Sequence, residues 1–106
     1  MRKPNKANPT EAVILASLLH GEKYGIEIRN LYEQRTGTAM PLGSLYVTLD
    51  RMEDKGFLKS RSGDPKAGRG GNRRKFYKIT GSGVQALNAL KQMLEGGKIQ
   101  GGLANA

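Results

Sequence analysis

Eight cationic side chains crowd one stretch of this sequence. Lys59, Arg61, Lys66, Arg69, Arg73, Arg74, Lys75 and Lys78 are opposed between positions 59 and 78 by Asp64 alone, so +7 of the formal +9 charge sits there. Such a cluster can lie along a polyanion and displace its counterions. Its centre, Gly63 to Asn72, holds four glycines and a proline, a composition that cannot pack and so projects into solvent or against a ligand. Arg69 stands between Gly68 and Gly70, where a bare backbone permits entry into a groove. Arg73, Arg74 and Lys75 fit phosphate contacts, which position a protein without reading sequence. A solvated hairpin charged for solubility is the competing explanation of the run.

A second set of residues changes that balance. Between Pro41 and Lys55, Leu42, Leu45, Leu49 and Met52 recur at three- and four-residue steps, which predicts an amphipathic helix ended by Gly56. Its other face carries Gly43, Ser44 and Thr48, with Arg51 one turn further on. Small groups near a helix start can enter a major groove, and one or two long donors can then reach base edges. Gly43 could equally serve close packing on a neighbouring helix, and Arg51 could pair with Asp54 or Glu53. Tyr46 could wedge its ring between helices while its hydroxyl reaches a phosphate, or belong wholly to the core. Lys23 and Tyr24 open the preceding helix, where free N–H groups and the dipole favour a phosphate, although a core tyrosine is an equal alternative.

Other chemistries are poorly supplied. The chain has no Cys, so no thiolate zinc site, thiol catalysis or disulfide framework. His20 is the sole histidine and falls at a helix end, a surface or capping position. Glu53 and Asp54 are neighbours on a helix and diverge. No phosphate-binding glycine motif follows a strand. An enzyme is not expected, nor is a cofactor. No apolar run approaches the roughly 18 residues a membrane span needs, and Met1 to Asn5 does not lead into a signal-peptide core. A cytoplasmic protein without membrane contact is the expectation.

The elements needed to hold these residues follow in order. Residues 1–9 read as a flexible basic arm. A first helix opens at Pro9-Thr10-Glu11, with Thr10 able to cap it and Ile14, Leu15, Leu18 and Leu19 as its stripe before Gly21. A second helix spans about Tyr24 to Arg35, with Ile28, Leu31 and Tyr32 on its inner side and Gly37 as its stop. The short connection to the third helix describes a helix-turn-helix, though any three-helix bundle fits these features equally well. Strands are expected at Phe57–Ser62 and Arg74–Thr80, a last helix at about Ser82 to Leu94, and a disordered tail from Gly96 with four glycines in eleven residues. The fold class is mostly α with a small β-hairpin: a winged helix-turn-helix over 10–80, a C-terminal dimerisation helix over 81–95, and a Gly-rich tail over 96–106. Val84, Leu87, Leu90 and Leu94, at near-heptad spacing, are the expected dimer seam, with intramolecular packing as the alternative.

Three blocks now carry a resemblance: Tyr24-Gly25-Ile26-Glu27-Ile28; Pro41 through Gly56 with its Gly43-Ser44-Leu45-Tyr46 segment; and Gly68 through Thr80, followed by Gly83. Together they resemble the PadR family of bacterial transcriptional regulators over roughly residues 12–92. The resemblance implies a winged helix whose third helix enters the major groove and whose C-terminal helix pairs with its twin. It also implies a repressor, commonly of its own operon or of a neighbouring transporter or detoxification gene. Double-stranded DNA and a second copy of the chain are the implied partners; an inducer is unknown. The thirteen-residue final helix expected here is shorter than the family's usual one, and with no Trp in the chain, ligand binding is not carried over. A structured-RNA binder, marked by stacking aromatics on an exposed sheet, and a winged-helix protein-interaction module are the alternatives.

Overall fold

In the computed structural model, residues 6–63 and 75–105 are described, the last ten of them as helical backbone alone. The elements are α1 (Pro9–Ser17), β1 (Lys23–Tyr24), α2 (Gly25–Thr36), α3 (Leu42–Asp54), β2 (Leu58–Ser62), β3 (Lys75–Ile79) and α4 (Gly81–Asn105). The three strands form one antiparallel sheet in the order β1-β3-β2. The core gathers Ile14, Leu15 and Leu18, Ile28 of α2, Leu45, Leu49 and Met52 of α3, Phe57, Leu58, Tyr77, and Ala86 and Leu87 of α4. Among the described residues no helix is long and apolar enough to cross a membrane.

Polar details set the helix starts. Asn8, not Thr10, caps α1: its Oδ1 accepts from the Glu11 amide at 2.8 Å, and Glu11 Oε1 accepts from the Asn8 amide at 3.0 Å. This reciprocal pair satisfies two donors that a helix start leaves free. The Glu11 carboxylate is buried and also accepts from Lys55 Nζ at 2.8 Å, joining the start of α1 to the end of α3. The expected arm therefore ends earlier than position 9, since Ala7 is in the core and Asn8 is fixed; residues 1–5 lie outside the described residues. Leu19, expected in the stripe of α1, is exposed beyond the helix end.

The tail departs most from expectation. The last helix is 25 residues long and continues to Asn105, about 37 Å at 1.5 Å per residue. Each glycine weakens a helix by about 1 kcal/mol relative to alanine without barring it, so Gly96 does not terminate the element. The expected disordered tail and shortened final helix are corrected accordingly. At its start, Thr80 Oγ1 accepts from the Gly83 amide at 3.0 Å and donates to the Gly56 carbonyl at 2.6 Å. A Cβ on Gly83 would fall 2.1 Å from the Phe57 carbonyl oxygen, so only glycine lets α4 approach the α3–β2 corner this closely.

Packing also divides the expected dimer seam. Leu87 is in the chain's own core and Leu90 is buried, on the helix that packs against α1 and β3. Val84 is partly buried, while Leu94 is exposed, as is Met93. Leu87 and Leu90 are thus buried within the chain itself, the intramolecular alternative. Leu94 is left facing solvent.

Candidate nucleic-acid interface

Helix α3 is held rigidly from behind. Leu45, Leu49 and Met52 are fully buried, each contributing about 1.5–3 kcal/mol through removal from water. Arg29 Nε of α2 donates to the Met40 carbonyl at 3.1 Å, fixing the turn that leads into α3. Glu53 turns toward the sheet, where both its carboxylate oxygens accept from Ser60 Oγ at 3.0 and 3.1 Å. Helix α3 is therefore locked to its partners by its stripe, its entry turn and its last turn.

Its outer face is open. Gly43, Ser44, Val47, Thr48 and Arg51 line one shallow concavity. Outside its own stretch of helix backbone, no atom of the described residues lies within 4 Å of where a Cβ on Gly43 would stand, so this glycine serves no packing against α2. Arg51 is exposed and, among the described residues, in neither ion pair; these are Lys55–Glu11 and Arg61–Glu22. The pairing of Arg51 with Glu53 or Asp54 left open by the sequence is not made. Thr48 Oγ1 donates to the Ser44 carbonyl at 2.9 Å, which leaves its lone pairs and methyl group as what it can offer outward. Val47, 59% exposed, belongs to this face too, and sequence reasoning missed it. Its signal was its place: four residues after Gly43 and four before Arg51, off the buried stripe.

Tyr46 packs against α2. Its ring lies over the start of α2, so close that a Cβ on Gly25 would stand 2.3 Å from the hydroxyl oxygen. The residue nevertheless remains 37% exposed. The Tyr24-Gly25 pair is explained by this: the glycine is where the Tyr46 ring is seated. Tyr46 is thus a wedge between α2 and α3 that is only part-covered.

Lys23 and Tyr24 are not the first turn of a helix, as expected, but the two residues of β1, with Tyr24 at the N-cap of α2. Lys23 pairs with Tyr77 and Tyr24 with Phe76 on β3. Paired residues share a face and alternate along the strand, so Lys23, Ser60, Tyr77 and Lys75 stand on the side turned to α3. Tyr77 is buried there, and its phenol is pushed up to about 12 by desolvation first, then by Tyr46, Asp50 and Glu53. Lys75 is exposed at the end of β3. Arg69, Arg73 and Arg74 lie outside the described residues.

The opposite face of the sheet is internally occupied. Glu22 accepts from Arg61 Nε at 3.1 Å through both oxygens, and from Arg61 Nη2. That hydrogen-bonded guanidinium holds the Glu22 carboxyl below its usual range and raises Arg61 in turn. The Arg61 guanidinium sits 4.8 Å from the Phe76 ring centroid, and Tyr24 meets the same ring edge-on at 5.8 Å. Among the described residues no group of three His, Cys, Asp or Glu side chains could hold a metal.

Three helices in a helix-turn-helix arrangement, with a three-stranded sheet against the third and a long closing helix, make a winged-helix protein. The chain matches the transcriptional regulator PadR-like family over residues 14–89 and belongs to that family. A PadR family transcription regulator from Clostridium difficile superposes with a TM-score of 0.75 at 27% identity, over 93% of this chain and all of that one. Bacillus subtilis PadR, solved in complex with operator DNA, superposes with a TM-score of 0.67 at 25% identity. That match covers 78% of this chain and 47% of the Bacillus protein. An uncharacterised protein from Lysinibacillus sphaericus is 30% identical over 82 residues, 76% of this chain and 72% of that one.

Proposed function

We propose that this PadR-family transcriptional regulator is a repressor that binds double-stranded DNA in a sequence-specific manner, as a homodimer on a palindromic or near-palindromic operator. The observation that carries the reading is the outer face of α3, where Gly43, Ser44, Thr48 and Arg51 line a concavity and Arg51 is in no ion pair of the described chain. The operator complex of the related Bacillus protein supports it. In a dimer, two copies of α3 enter successive major grooves about one helical turn apart. Lys23 and Lys75, with Arg69, Arg73 and Arg74, follow the flanking phosphates, which set register. Tyr46, seated on Gly25, positions α3 against α2, while Tyr24 packs against Phe76 on the outer face of the sheet. Leu94 and Met93, exposed on α4, supply apolar surface for the second copy. The site of action is the bacterial nucleoid in the cytoplasm.

Phe76 favours duplex DNA over structured RNA. A base-stacking platform needs a free aromatic face, and this ring is already in contact with Arg61 and Tyr24. The test is a salt series of binding to the duplex upstream of the protein's own gene, against scrambled duplex and structured RNA. A dimer neutralising about eight phosphates gives a log–log slope near −7, and the upstream duplex is preferred by about a thousandfold. Equal binding to both duplexes removes the sequence-specific reading, and preference for RNA replaces it.

A further inference from the structure

Val47 is the residue of α3 that its own fold does not use. It is apolar and β-branched, yet 59% exposed, while Leu45 and Leu49 on either side are fully buried. Nothing shields it from the direction of the helix start. Side chains on a helix lean toward its N-terminus, over the residue four positions earlier, and here that residue is Gly43, with open space around its missing Cβ. The isopropyl group therefore stands uncovered in the concavity formed with Ser44, Thr48 and Arg51. A polar side chain at this position would be better solvated and no worse for the helix.

We infer that Val47 is a specificity-determining residue that reads the C5-methyl group of a thymine in the major groove, an inference that rests on the DNA-binding reading above. The thymine methyl is the one apolar feature among base edges in that groove, and it is recognised by aliphatic contact. The neighbours complement it. Arg51, four residues further along, offers the fork of donors suited to guanine, about 6 Å away along the helix axis. A guanine read by Arg51 thus lies within about two base pairs of the thymine read by Val47. Gly43 keeps the approach clear, so a side chain there would cover the valine and hold the helix away from the bases.

The experiment selects preferred sites from a randomised duplex pool with the full chain. Each thymine of the selected duplex is then replaced by deoxyuridine, which lacks the methyl, and binding is measured for the wild type and V47A. One replacement should weaken the wild type about fourfold, as expected for one buried methyl, and leave V47A unchanged. V47A itself should lose about tenfold on the unmodified duplex with an unaltered thermal unfolding midpoint. If no deoxyuridine replacement affects the wild type, or V47A keeps the full sensitivity, the inference falls while sequence-specific binding stands. If the pool yields no preferred site, the DNA-binding reading fails and this inference fails with it.

Discussion

The outer face of α3 and the outer face of the sheet both carry the polar and cationic groups expected of a nucleic-acid surface, but they differ in what those groups already touch. On the sheet, Arg61 is held by Glu22 and lies over Phe76, which Tyr24 meets edge-on. On α3, Arg51 is in neither ion pair of the described residues, Gly43 is surrounded by open space and Val47 is left in solvent. The hydrogen bond of Thr48 to the Ser44 carbonyl is a tie within the helix itself. Charge density alone would favour the sheet and its hairpin. The state of engagement favours α3: a side chain that already has a partner must give it up before it binds another, and an uncommitted one need not.

Breaking the support of α3 should have the largest effect. Leu49→Ala removes a fully buried side chain beneath the helix and should cost about 2–5 kcal/mol in urea unfolding, with binding lost in proportion to the unfolded fraction. Raising the pH acts on the same seam through Tyr77. Its folded value of about 12 lies above an unfolded value near 10, so the stabilisation is full below pH 10 and fades as pH rises toward 12. The loss should reach about 2–3 kcal/mol and be absent in Tyr77→Phe, as alkaline melts will record.

Smaller effects sharpen the contrast. Arg51→Ala should weaken binding to a selected duplex by about 1–3 kcal/mol, while the unfolding free energy stays within about 0.5 kcal/mol, since surface changes of this kind are nearly neutral. Glu22→Gln weakens the hold on Arg61 at the outer sheet and should leave duplex affinity within about twofold; a tenfold change in titration would mean that this face takes part in binding.

The helices of the fold were legible because periodicity is a local signal. Leu45, Leu49 and Met52 keep one phase, and the burial of all three followed from it. Strand β1 was not legible: two residues cannot show alternation, and Lys23–Tyr24 is a strand only through its pairing with β3. The same holds for Gly25, whose purpose is the Tyr46 ring brought over it by tertiary packing. Glycine content suggested a break in α4 that backbone propensity was too weak to impose. The heptad-like stripe of α4 could not reveal that Leu87 and Leu90 would be buried within their own chain. Among the site residues, Ser44, Thr48 and Arg51 were visible as polar positions off the stripe. Val47 was hidden by its type, because an apolar residue in an amphipathic helix reads as core.

The most direct measurement is an amide NMR titration of the labelled full chain with a selected duplex, resolved residue by residue. The account predicts the largest shifts across Gly43 to Arg51 and at Lys23, with the amides of Glu22, Lys59, Arg61 and Phe76 little changed. Shifts concentrated at Lys59, Arg61, Phe76 and Lys78, with α3 undisturbed, would contradict it and move the interface to the outer face of the sheet.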